Sequence, residues 1–209
     1  MSDFIQFNPV QVSDNIPENT SDLASICNEL AAMDLLSTYS GTSVTGSNGN
    51  VSKRNGTGVT ITATQLPSKE NLEPADFVTI EKCTQLDAYY HGNKLPSSEC
   101  LMHWHLYESF PETEAIIHVH ESNELLYSDF GQKRWDELQI AETEQNAEGS
   151  TIEVGITAAE TFTKGFLYVI LKDHRPKWDL QRTGAVIMGK SLKEAHKRAT
   201  TIHKALKKQ

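Results

Sequence analysis

The stretch from Pro96 to His120 constrains this chain more than any other part of it. Pro96-Ser97-Ser98-Glu99 is followed by Met102, Leu106 and Phe110 at i+4 spacing and then by Pro111. That is the pattern of a helix capped by Ser97 or Ser98 and stopped by a proline. Glu99 falls in its first turn. The next run, Ala115 to His120, has the length and β-branched content of a strand. A period of two sets Ile117 and Val119 on one face and His118 and His120 on the other. Two imidazoles on one strand face can clamp a metal, and a nearby carboxylate can add a ligand or act as general base. A half-exposed strand that merely carries two histidines gives the same letters.

The remaining chain reads as a mixed α/β domain. Residues 1–19 hold two prolines and no sustained period, so they read as an arm ahead of a single domain over residues 20–209. Leu23, Ile26, Leu30 and Met33 share a helical face, with Cys27 beside them in the core. Ser40 to Ser52 is rich in Ser, Thr, Gly and Asn and precedes the alternating strand Val59 to Ala63. It is either a flexible hairpin loop or a turn whose backbone N–H groups cradle an anion, with Ser47, Asn50 and Ser52 as added donors. Phe77 to Ile80 is a strand, and Asp87 to Lys94 a connecting turn with His91 at the surface. His103 and His105 are packing or surface groups. Residues 121–150 show no clear period, and Ala158 to Lys172 reads as one helix that tolerates Gly165. Gly184 to Met188 is a short buried strand. Ser191-Leu192-Lys193-Glu194 is a capping box that opens a last amphipathic helix carrying His196 and His203.

Composition limits the partners. At 209 residues and 38% hydrophobic content, one well-buried domain is expected. The net charge of -9, from 19 basic and 28 acidic residues, offers no field to attract nucleic acid or an anionic membrane. Three scattered cysteines make no disulfide framework, which fits the reducing cytoplasm. No apolar run approaches the roughly 18 residues of a membrane span, and no export signal is visible at the N-terminus.

Pro-Ser-Ser-Glu, helix, proline, apolar strand and His-x-His in this order resemble the class II aldolase/adducin family. Gly49-Asn50-Val51-Ser52, Ile61-Thr62-Ala63-Thr64, Leu72 to Ile80 and Gly184 to Ala195 extend the resemblance over most of the chain from about Leu23. It implies a three-layer α/β/α sandwich around a mixed, largely antiparallel sheet, and a homotetramer with sites between subunits. The implied activity is that of a metal-dependent sugar-phosphate lyase, cleaving a phosphorylated ketose through a metal-stabilised enediolate. The metal is a divalent ion, zinc by first choice. Catalysis falls to Glu99, metal binding to His118 and His120, and phosphate binding to Ser47, Gly49, Asn50, Thr64, Ser97 and Ser98.

The pattern departs from the family in three places. The third metal histidine falls on Thr183, a poor zinc ligand, so His174 is the substitute, placed at the end of the preceding helix where the dipole alone would explain it. Gln65 stands where relatives usually place glycine. Relatives draw a tyrosine acid from the region of residues 121–150, and Tyr127 does not match its position. These departures keep open a catalytically degenerate ligand-binding or assembly module, and a related sugar-phosphate epimerase or dehydratase.

Overall fold

A computed structural model describes residues 5–40, 45–56, 58–146, 149–172, 174 and 180–207. In chain order the first half comprises β1 (Asn8–Ser13), α1 (Ser21–Ala32), β2 (Thr38–Ser40), β3 (Thr45–Ser47), β4 (Asn50–Asn55), β5 (Gly58–Thr62), a 3-10 turn (Pro74–Asp76), β6 (Phe77–Cys83) and β7 (Asp87–His91). The second half comprises α2 (Cys100–Ser109), β8 (Ala115–Ser122), the short helices α3 (Asn123–Tyr127), α4 (Asp129–Gln132) and α5 (Trp135–Leu138), β9 (Ile140–Glu142), α6 (Ile152–Phe162), β10 (Tyr168–Ile170), β11 (Arg182–Gly189) and α7 (Leu192–Lys207). Among the described residues nine strands form one sheet in the order β1-β7-β6-β5-β4-β8-β11-β10-β9, with β2 and β3 a separate ribbon. Among the described residues only β1·β7 and β9·β10 run parallel, so the sheet is mixed and largely antiparallel, as expected.

Alternation along the strands builds two cores. On one face Ile61, Ile116, Val169 and Val186 pack against Leu101, Met102 and Leu106 of α2 and Val154 and Ala158 of α6. On the other, Val51, Ile117, Val119, Ala185 and Ile187 meet Leu23, Cys27 and Leu30 of α1 and Ala195, Ala199 and Ile202 of α7. The result is three layers. Each fully buried Leu or Ile contributes about 1.5–3 kcal/mol, so the layers on β8 and β11 hold those strands firmly. The last helix opens as its capping box predicts, Glu194 N donating to Ser191 Oγ at 3.1 Å.

Several stretches differ from the sequence reading. The expected helix over 158–172 is α6, which starts earlier and stops at Phe162, followed by strand β10. Gly165 at φ 93° ends the helical turn, and the apolar run beyond it is buried between β9 and β11. A strand buried on both faces loses its period of two and looks like helix core. Asp87 to His91 is β7 rather than a turn, with alternate residues Ala88 and Tyr90 buried. The stretch without a clear period opens with the end of β8 and then, over residues 123–142, carries α3, α4, α5 and β9. His203 is no ordinary helix residue: it is buried, with Nδ1 2.6 Å from Glu121 Oε2. Within the stretch set apart as an arm, Asn8–Ser13 forms the edge strand β1 and Phe7 joins the core.

Candidate metal centre and anion site

Strand alternation puts His118 and His120 on the face of β8 shared with Ile116, and both rings are buried. The third ring is His174, after β10. Its backbone N donates to Leu171 O at 3.0 Å and its carbonyl accepts from Gly184 N at 2.9 Å. The His118, His120 and His174 ring centroids lie 4.9, 5.2 and 5.8 Å apart in pairs. One ligand atom from each sits within 4.8 Å of the others. Gly184, opposite His120 in the β8·β11 ladder, makes the room: a Cβ there would stand 2.4 Å from His174 Cδ2 and 2.8 Å from His118 Cε1.

Burial, with help from the neighbouring imidazoles, holds His118 and His120 well below the usual histidine range. Arg182 and Lys69 push His120 the same way. Neutral rings keep lone pairs. The His118 Nδ1 faces the Ala185 carbonyl at 3.0 Å, and a carbonyl only accepts, so the proton belongs on Nδ1 and the lone pair on Nε2. That nitrogen lies 3.1 Å from His120 Nε2, while His120 Nδ1 is buried without a hydrogen-bond partner among the described residues. Three converging imidazoles, one oriented through its far nitrogen by a carbonyl and one with an orphaned nitrogen, fit a divalent transition metal.

Glu99, and not Ser97 or Ser98, occupies the N-cap position of α2, its carboxylate turned to the rim of this triad instead of bonding the helix backbone. Only 6% exposed, it places Oε1 3.7 Å from His174 Nε2 and receives Ser150 N on Oε2 at 3.5 Å. Thus Glu99, His118, His120 and His174 converge. His174 follows a strand rather than the expected helix, so no helix dipole accounts for it. Thr183, opposite Glu121 in the ladder, lies on the far face of β11 from the rings, and its hydroxyl donates to Asn123 Oδ1 at 2.6 Å.

The anion-site candidates gather beside the rings in part. Asn50 pairs with His118 across β4·β8, and its Oδ1 is buried without a partner among the described residues. Gly49 turns into β4 at φ 71°, where a Cβ would collide with His118 O and Leu36 Cδ2 at 2.5 Å. An isolated bridge between Ala63 and Pro96 brings Thr64 towards Ser97, whose Oγ accepts Glu99 N at 3.3 Å. Ser98 is half-buried. Ser47 donates its hydroxyl to Leu66 O at 2.8 Å and accepts from Lys69 Nζ at 2.9 Å. Gln65 adopts φ 55°, a left-handed conformation that glycine reaches without cost. His103 is a core group, its Nδ1 2.7 Å from Ser52 Oγ, whereas His105 reaches Ser109 Oγ at 3.3 Å. The sequence reading missed Lys69, because Pro67-Ser68-Lys69-Glu70 looks like a solvated turn. It also missed the steric role of Gly184, which no single sequence can announce.

The profile of the Class II Aldolase and Adducin N-terminal domain family matches residues 23–209. The chain belongs to this family. Among solved structures, a sugar-phosphate aldolase from Thermotoga maritima is 19% identical, with a TM-score of 0.65 over 88% of this chain and 90% of that one. An L-fuculose 1-phosphate aldolase is 20% identical, with a TM-score of 0.67 over 92% and 85% of the two chains. The L-fuculose-1-phosphate aldolase of Thermus thermophilus is 17% identical, with a TM-score of 0.62 over 89% of each. At such identities these likenesses establish the class II aldolase fold. No curated protein sequence matches the chain. Among the described residues no helix is long and apolar enough to cross a membrane.

Proposed function

We propose that the chain is a metal-dependent lyase that cleaves a phosphorylated ketose, with zinc held by His118, His120 and His174. The observation that carries this reading is the convergence of three imidazoles, two of them fully buried and neutral, beside a buried carboxylate in a chain of the class II aldolase family. A divalent cation supplies Lewis acidity for a carbonyl and its neighbouring hydroxyl, and stabilises the negative charge that develops there. His118 presents Nε2 because the Ala185 carbonyl fixes its tautomer. Glu99 takes the proton from the carbon next to the carbonyl in the synthetic direction and returns it in cleavage, with Ser150 N steadying Oε2. Asn50, Thr64, Ser97, Ser98 and the Gly49 turn bind the phosphate, with Ser47 beside them engaged by Leu66 O and Lys69. We place the protein in the cytoplasm as a homo-oligomer, a tetramer by the family resemblance.

Metal analysis of tag-free protein purified without chelator tests the centre, and about one zinc per chain is expected. Against phosphorylated ketoses, Glu99→Gln should keep the fold and the metal and lose about 10²-fold or more in turnover. Protein with no metal under these conditions, or unchanged turnover in Glu99→Gln, overturns the reading in favour of a non-catalytic ligand-binding module.

A further inference from the structure

Lys69 is the least expected group near the site. It is 2% exposed, and its ammonium touches the Ser47 hydroxyl at 2.9 Å and the Ser47 carbonyl at 3.4 Å. Both partners are neutral, and no carboxylate forms an ion pair with it among the described residues. Asp76, close enough to be felt, is engaged by Lys94 at 2.5 Å and by Glu73 N at 2.8 Å. The other charge-bearing group nearby is Cys27, whose thiol burial pushes up to about 12, so it brings no negative charge at neutral pH. Burial lowers Lys69 only to about 8, which leaves it mostly protonated at pH 7. An ammonium removed from water without a counter-charge is costly. It also has three N–H donors, and Ser47 uses two at most.

Ser47 itself is committed. Its single proton goes to Leu66 O, so it cannot also donate to an anion at this corner without breaking that bond. Among the described residues, the N–H of Lys69 that Ser47 leaves over is the donor available there. Lys69 is held at Ser47, three residues before Asn50, which pairs with His118 across β4·β8, so the cation stands beside the turn that leads to the rings.

We propose that Lys69 is a substrate-binding residue that receives the phosphate of the sugar phosphate, Ser47 serving to hold its ammonium in place. This rests on the sugar-phosphate reading above and adds to it the one buried cation found at that corner among the described residues. An anionic ligand supplies the missing counter-charge, so the free protein carries a destabilising group that the complex neutralises.

The test uses inorganic phosphate as probe, titrated calorimetrically into zinc-loaded wild type, Lys69→Met, Lys69→Arg and Asn50→Ala, with melting temperatures recorded for each. Loss of a charge-assisted hydrogen bond predicts roughly 10- to 100-fold weaker phosphate binding in Lys69→Met and substantial retention in Lys69→Arg. Without phosphate, Lys69→Met should melt no lower than wild type, because removing an unpaired buried charge relieves the fold. A purely structural lysine gives the reverse, a lower melting temperature with unchanged phosphate affinity, and that result overturns the proposal. If Asn50→Ala weakens binding and Lys69→Met does not, Lys69 is excluded while the phosphate site stands. If wild type binds no phosphate, both fall. Should Lys69→Met fail to fold, Lys69→Gln keeps a donor for Ser47, drops the charge, and is read by the same two outcomes.

Discussion

Gly184→Ala is the sharpest test of the metal centre, because it adds one methyl group and removes no ligand. The new Cβ would stand 2.4 Å from His174 Cδ2 and 2.8 Å from His118 Cε1, where ordinary contact begins at 3.4 Å. The His174 ring must therefore retreat by about an ångström, since β11 is held by pairing to β8 and β10 and cannot shift as a unit. Ligand distances tolerate only about 0.2 Å. Losing one ring from the shell should weaken zinc binding by at least about 10- to 100-fold. Overpacking should cost the apo-protein about 1–3 kcal/mol, or roughly 2–12 °C in melting temperature for a chain of this size. Competition against a chromophoric chelator reads the first quantity and thermal melting the second. Gly189→Ala on the same strand is the control: its Cβ would meet Ala195 N at 2.5 Å, so it should lower stability and leave zinc affinity alone. Wild-type zinc affinity in Gly184→Ala would refute the idea that these rings form the site.

Two further outcomes follow from named contacts. Thr183→Val should leave zinc affinity unchanged and cost about 1–3 kcal/mol by stranding Asn123 Oδ1, while His174→Ala should weaken zinc at least about 10-fold; equal losses in the two variants would mean the Thr183 hydroxyl swings round to the metal. Burial lowers His103 from 6.5 to about 3, so between those values the unfolded chain binds the proton and the folded chain does not. The stability it confers is present above pH 6.5 and is lost as the pH falls towards 3, by up to about 5 kcal/mol. Urea unfolding of the apo-protein from pH 7 to 4 should show a flatter profile for His103→Gln, and superimposable profiles would dismiss the effect.

Local chemistry was the legible part of this chain. A period of two in Ala115 to His120 was enough to put two imidazoles on one face, and Pro96-Ser97-Ser98-Glu99 with its proline stop was enough to place a carboxylate at a helix start. Elements defined by their neighbours were not legible. β10 is buried between β9 and β11, so its apolar run carries no alternation to separate it from α6. β7 holds Asp87, Tyr89 and His91 on its less buried side, and those residues look like a turn until β6 and β1 are seen to flank it. His174 needed the loop geometry that ties it to Leu171 and Gly184, and Lys69 needed the fold that buries it.

Asn50 and His118 are direct partners on adjacent hydrogen-bonded strands. Their backbones are therefore spaced by the sheet itself, about 4.8 Å apart, and not by a loop that could flex. Val51 pairs with Ile117 beside them, both fully buried, so neither strand can slide by one residue without turning its apolar side chains out of the core. A ligand that touches both residues spans a gauge of fixed length. Molecules too short or too long for it meet a rigid frame, and selection by reach is built into the ladder.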